Sequence, residues 1–348
     1  MPPLLELRDA TKVYGGGFLT KREPVVALDH VSLTIEDERP AITAIAGESG
    51  SGKTTLAHLL LGHVSPTSGA VFYRGRDLTT IRGRERLQFR REVQPIFQDP
   101  FAAFNPFYRI DHVLTMPVKR FRLAEDGRAA RRLIEESLEM VGLRPQETLG
   151  RYPHQLSGGQ RQRIMVARAL LCRPKVILAD EPVSMVDASL RATILASLQQ
   201  LNRDLGISVI YITHDLTTAY QISDNIIVLY RGTVAEAGSA ERVIREPKHP
   251  YTRLLVSSIP MPDRSRRWTG EDLPDLDAPP PRATTGCKFA PRCPAVTDVC
   301  WTRPPPLFRP DRHRVATCFL YPDSPVLASN DVAQVFTDAP VAASGVAR

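Results

Sequence analysis

The sequence predicts an α/β protein built on a mostly parallel sheet, and three observations carry that reading. The runs VILAD (176–180) and ISVIYIT (207–213) have the unbroken hydrophobicity of strands covered on both faces. Between them, ASLRATILASLQQLNRDL places Leu190, Ile194, Leu198 and Leu201 along one helical face, giving a strand–helix–strand order. AITAIA enters a glycine-rich loop and leaves it as TTLAHLLLGHV, a strand passing directly into a helix.

The remaining elements follow along the chain. LLELRDATKVY and ALDHVSLTIEDERP are short, β-branched and punctuated by charge, so both read as strands. GRAARRLIEESLEMV (127–141) sets Ile134, Leu138 and Val141 on one face of an amphipathic helix, and QRQRIMVARALL is a second helix. From Glu246 the composition shifts. EPKHPYTRLLVSSIPMP and DLPDLDAPPPRATTG predict one short helix and then an extended Pro-rich segment crossing a surface. The expected division is a main domain over 1–245 with a helical insertion at 98–172, an extension over 246–322, and a small-residue disordered tail over 323–348. No internal repeat is visible.

The chain has 348 residues, 43% hydrophobic and 24% charged, with a formal net charge of +7. This is an ordinary globular composition. No run approaches the length needed to span a bilayer. The N-terminal stretch lacks a basic region followed by an apolar one, so no secretory signal is expected. The cytosol is then the default compartment, which makes disulfides the weaker reading of the cysteines. The arginines are scattered without interleaved aromatics, which favours solvated faces and phosphate ligands over nucleic acid as a partner.

Gly47, Glu48, Ser49, Gly50, Ser51, Gly52, Lys53 and Thr54 fit G-x-x-x-x-G-K-[ST], with Thr55 following. The glycines let the backbone wrap phosphates so that N–H groups and a helix N-terminus face the anion. Lys53 would reach the β- and γ-phosphates of a nucleotide, and Thr54 would offer a hydroxyl to Mg²⁺. Asp180 ends the buried strand VILAD and can hold Mg²⁺. Glu181, one residue on, is placed to accept a proton from attacking water.

Leu156-Ser157-Gly158-Gly159-Gln160, lying after that loop and before VILADEP, resembles the signature of ABC-type ATPases. On its own the stretch could be no more than a polar turn capping the next helix. The resemblance implies a P-loop NTPase core with an antiparallel β subdomain and a helical subdomain. It implies that Tyr14 stacks on adenine, that Gln98 contacts Mg²⁺ and the attacking water, and that His214 contacts the γ-phosphate. It implies that Ser157, Gly158, Gly159 and Gln160 complete the ATP site of a partner chain, so the active unit is a dimer. Ser184-Met185-Val186-Asp187 departs from the usual S-A-L-D, although Ser184 and Asp187 are kept.

The interval between Lys53 and Ser157 is too short for the long coiled coil of chromosome-structure ATPases. FQDPFAAFNP (97–106), RYPHQLSGGQRQR (151–163) and HPYTRLL (249–255) resemble the oligopeptide/dipeptide importer subfamily. That resemblance covers residues 4–322. It implies an ATP-hydrolysing subunit on the cytoplasmic face of the membrane, docked on two permease chains, paired with a second ATPase chain and served indirectly by a solute-binding protein. The rival is a non-transport ABC ATPase acting on nucleic acid or ribosomes.

Cys287, Cys293, Cys300 and Cys318 lack the C-x2-C pairs of common zinc sites, and their spacing leaves metal and no metal equally open. The subfamily resemblance tips the expectation to a [4Fe–4S] cluster stapling an extension with little core of its own. Cys172, in ALLCRP, reads as a small buried apolar residue.

Overall fold

A computed structural model of the chain describes residues 2–15, 23–99, 104–184, 186–259, 285–327 and 331–336. In chain order its elements begin with β1 (Leu5–Tyr14), β2 (Val25–Ile35), β3 (Ile42–Ala46), α1 (Lys53–Leu60), β4 (Ser68–Tyr73), β5 (Arg76–Asp77), α2 (Gly83–Glu92) and β6 (Val93–Ile96). Then come α3 (Ile110–Phe121), α4 (Gly127–Met140), α5 (Pro145–Thr148), α6 (Gly158–Leu171), β7 (Val176–Asp180), α7 (Ala188–Leu205), β8 (Ser208–Thr213) and α8 (Leu216–Ile222). The last are β9 (Asn225–Tyr230), β10 (Thr233–Ser239), α9 (Ala240–Arg245), α10 (Pro250–Ser257), α11 (Asp298–Thr302), β11 (Phe308–Asp311) and β12 (Arg314–Ala316).

The main sheet runs β11-β12-β10-β9-β3-β8-β7-β6. Its β9-β3-β8-β7-β6 portion is parallel, and β10, β12 and β11 add to it antiparallel. β3 and β8 are buried along their whole length, packed on helices on one face and on α1 with the second sheet on the other. A second, antiparallel sheet, β2-β1-β4-β5, lies beside it. Ligands of open α/β sheets collect at the carboxyl ends of parallel strands. Here β3, β7 and β8 end at Ala46, Asp180 and Thr213, next to three of the motifs read from the sequence.

The helical insertion packs along an apolar seam continuous with the core of the main sheet. Ile110, Leu114 and Val118 of α3 meet Ile134 and Leu138 of α4 and Ile164 of α6. The face expected on α7 is buried at Ile194, Leu198 and Leu201, with Leu190 partly covered. Cys172 is fully buried, and burial pushes its thiol up to about 11.

Two expectations change at the C-terminal end. The extension does not merely cross a surface: β12 pairs with β10, and β11 with β12, so it widens the main sheet. Arg314, only 2% exposed, clamps that join by donating to Asp311 and to the Arg242 carbonyl. The Pro-rich stretch 260–284 lies outside the described residues. The tail expected to be disordered is ordered at 323–327 and again at 331–336. Asp331 accepts from Thr34 N–H at 3.2 Å and Oγ1 at 2.5 Å, and Val332 and Val335 are fully buried. A four-residue 3-10 turn carries too few apolar positions to show a period, so pattern reading passes over it.

Candidate active site

The glycine-rich loop leaves β3 at Ala46 and enters α1 at Lys53. Gly47 and Gly52 have φ of 149° and 105°, and a Cβ at either would strike a carbonyl oxygen, of Leu229 and Ala27 respectively. Only glycine lets the loop seat so tightly on β2 and β9. α1 has no side-chain N-cap, which leaves first-turn N–H groups for an anion. The buried Ser51 Oγ has no partner, a vacancy that suits a phosphate oxygen.

Lys53 is 7% exposed, and its Nζ donates to the carbonyls of Gly47 at 2.7 Å and Glu48 at 2.8 Å. Burial pulls its pKa down, against the opposing charges of Glu181, Asp180 and Glu48. Burial and the neighbouring Glu181 push Asp180 up, against His58 and Lys53. A half-buried anion and a buried cation, close enough to act on each other's ionisation, are prepared for a ligand that brings both signs of charge. Thr54, exposed on α1, and Asp180 are oxygen donors of the kind a hard cation takes, so the set fits Mg²⁺ carried by a nucleotide.

Glu181 is held by both carboxylate oxygens. Gln98 Nε2 donates to Oε2 at 2.8 Å, and His214 Nδ1 lies 2.8 Å from Oε1. Glu181 also has φ of 43°, unusual for a non-glycine residue. Its backbone holds there because its N–H donates to Ile212 of β8 while Ser184 N and Oγ donate to its carbonyl at 3.1 and 3.0 Å. Two residues far apart in sequence, Gln98 and His214, are thus brought onto one carboxylate beside Lys53. Tyr14, at the end of β1, exposes its ring and has the Lys12 ammonium 5.2 Å from the ring centroid. Met185, the residue that departs from the usual pattern, lies outside the described residues.

Ser157 and Gln160 form a capping box on α6: Gln160 N–H donates to Ser157 Oγ at 3.2 Å, and Ser157 N–H donates to Gln160 Oε1 at 2.9 Å. A Cβ on Gly159 would run into Leu190 of α7. The bland reading of this turn as a helix cap therefore holds as well. Gly158 opens the helix behind the cap.

Sequence reasoning gave no task to Tyr251, Lys288 and Arg292. The buried Tyr251 hydroxyl accepts the Glu48 N–H at 2.9 Å, and Arg292 makes a two-pronged ion pair with the Glu48 carboxylate. Lys288 reaches Asp29 at 2.8 Å and the Arg231 carbonyl at 2.9 Å. The available signal was the place of Tyr251 inside HPYTRLL, which marked a subfamily without suggesting a contact, and of Lys288 and Arg292 between the cysteines of GCKFAPRC.

The cysteine expectation needs correction. Cys287, Cys293, Cys300 and Cys318 are free thiols, and burial pushes Cys287, Cys293 and Cys318 up, the last to about 11. They are near enough to act on one another's ionisation. Yet among the described residues no three His, Cys, Asp or Glu side chains gather in a way that could hold a metal ion. The arrangement does not fit an iron–sulfur cluster, and no step is derived through one. The premise of a segment without core also fails. Phe289, 2% exposed, packs among Tyr230, His249 and Tyr251, and β11 and β12 lean on the main sheet.

Residues 28–184 match the ABC transporter family, and residues 235–300 match the oligopeptide/dipeptide transporter C-terminal region. A Brucella ovis protein provisionally named a peptide import ATP-binding protein is 40% identical over 311 residues, 88% of this chain and 94% of that protein. The oligopeptide transport ATP-binding protein OppF of Salmonella typhimurium is 38% identical over 296 residues, 83% of this chain and 86% of its own. A dimeric ATP-binding cassette in a post-hydrolysis state with ADP and Pi superimposes with a TM-score of 0.59 at 31% identity, covering 68% of this chain and 98% of the cassette. A cassette of a Clostridium perfringens ABC transporter complex gives 0.60 at 25% identity, covering 71% and 92%.

Proposed function

Because the chain belongs to the ABC ATPases that power oligopeptide and dipeptide importers, and is therefore an ATP hydrolase, we propose how its own residues carry out the hydrolysis. Gly47–Thr55 cradle the triphosphate, with Lys53 leaving the Gly47 and Glu48 carbonyls for the β- and γ-oxygens. Tyr14 stacks on adenine. Thr54, Asp180 and Gln98 hold the Mg²⁺ of Mg·ATP, which supplies neutralisation of phosphate charge. Glu181 orients water and accepts its proton, while Gln98 and His214 fix the carboxylate and then turn to the water and the γ-phosphate. The observation carrying this reading is the Gln98–Glu181–His214 assembly beside Lys53.

A second ATPase chain would complete the site. Ser157, Gly158, Gly159 and Gln160 sit at the start of α6, where the positive helix end would meet the partner's γ-phosphate. The permease pair would dock beside Gln98. Phe107, 86% exposed, and Tyr108, 51% exposed, follow Gln98 in the chain and present aromatic surface of the kind interface cores use. Among the described residues no helix is long and apolar enough to cross a membrane; attachment to the cytoplasmic face would come through the permeases. The solute is a peptide, delivered by a separate binding protein, and the second ATPase is a sister chain or an identical one. The named relatives are transport components, so action on nucleic acid or ribosomes is not favoured.

Glu181→Gln should bind Mg·ATP at near wild-type affinity while hydrolysis falls at least about a hundredfold. Steady-state ATPase assays alongside ATP titration check this, and near-normal turnover would remove Glu181 from the role of base.

A further inference from the structure

We propose that Arg292 is a positioning residue for ATP: through Glu48 it fixes the phosphate loop, so the cysteine-bearing extension sets nucleotide affinity. The inference rests on reading residues 47–54 as the phosphate cradle. Arg292 ends a 3-10 turn, Ala290–Arg292, immediately before Cys293. Its Nη1 and Nη2 donate to Glu48 Oε2 and Oε1 at 2.9 and 3.0 Å, the paired geometry that makes arginine–carboxylate contacts directional. The guanidinium carbon lies 5.7 Å from the Phe289 ring centroid and 5.9 Å from that of Tyr230. Two packed aromatic rings therefore restrict where the fork can point.

Glu48 is held at every polar group. Its carboxylate is taken by Arg292 and its N–H by Tyr251, while its carbonyl receives Lys53 Nζ at 2.8 Å and Ser51 N–H at 3.1 Å. The lysine that must greet the phosphates thus shares a residue with the extension. A second strut lies alongside. Lys288 fixes the Arg231 carbonyl, and Gly232 N–H donates to the Ser51 carbonyl at 2.9 Å. Both struts act through loop residues.

The ion pair is half in solvent, with the two side chains 40% and 38% exposed, so it adds little to folding stability. What it restricts is the freedom of a loop whose N–H groups must converge on one anion. Loss of that restriction appears as weaker binding, because ordering the loop is then charged to the nucleotide. Turnover of bound ATP depends on Glu181 and should change little.

The test uses the full chain, with ATPase kinetics and melting temperature measured for Arg292→Ala, Arg292→Lys, Glu48→Gln and the double variant Glu48→Gln/Arg292→Ala. Arg292→Ala should raise the KM for ATP about five- to tenfold with kcat within about twofold. Arg292→Lys should recover part of the loss, and the double variant should be no worse than the worse single one, as expected of residues acting through each other. An unchanged KM in Arg292→Ala, a fall in kcat alone, or additive losses in the double variant would overturn the proposal. Wild-type chain that failed to bind Mg·ATP would instead strike the cradle reading, and this inference with it.

Discussion

Glu236 sits on β10 with no exposure, and its carboxylate accepts N–H groups from Lys248 at 3.0 Å and His249 at 2.8 Å. Burial raises it from near 4.5 to about 7, against those two bonds, Thr252 and the charge of Arg314. His249, equally buried, caps α10 through Nδ1 and is lowered from 6.5 to about 4 by burial. The signs oppose. Folded Glu236 keeps a proton that the unfolded chain has released, so its contribution is present below about 4.5 and is lost as pH rises through 7. Folded His249 refuses a proton that the unfolded chain takes, so its contribution is present above 6.5 and is lost as pH falls through 4. Between about 4.5 and 6.5 the two slopes largely cancel. Glu236→Gln should therefore uncover the histidine: denaturant unfolding should show stability rising with pH by up to about 1.4 kcal/mol per unit across that window. A slope as flat as wild type would contradict the assignment.

At the scale of elements, α6 has two tasks for one turn. Ser157 caps the helix within this chain and is read as a phosphate contact for another. Aspartate caps as well as serine does, yet brings a negative charge towards a γ-phosphate. Ser157→Asp should melt within a few degrees of wild type while ATPase activity falls more than about tenfold. Full activity would leave the turn a cap and nothing more. This double use also explains what could be read beforehand. α7 and the strands β7 and β8 were plain from periodicity and unbroken hydrophobicity, because both faces of the sheet are covered. The motifs at strand ends were plain because each needs a fixed residue type. Hidden from the sequence were contacts between distant segments: Gln98 and His214 on one carboxylate, and the struts from Tyr251, Lys288 and Arg292. Such pairings leave no local period, and the subfamily resemblance, not the cysteine spacing, pointed to a metal where aromatic packing supplies the cohesion.

Across the whole molecule, late segments complete early ones. Val332 and Val335 pack into the cluster that includes Leu33, Val315 and Leu327, and Asp331 binds Thr34 on β2. Removing residues 328–348 uncovers that apolar seam. Two buried valines make the loss about 3 kcal/mol, visible as a lower denaturation midpoint with unchanged affinity for Mg·ATP. An unshifted midpoint would mean that this turn adds nothing.

The strands β11 and β12 complete a sheet whose other edge is β6, and between them lies the cradle at the end of β3. During synthesis the cradle leaves the ribosome long before Arg292 or β12 exists. A nascent chain can fold its first sheet and helices, but it holds an unbraced loop until translation nears the C-terminal end. A tight grip on nucleotide then arrives late: until Arg292 meets Glu48, the nascent cradle holds ATP about five- to tenfold more weakly.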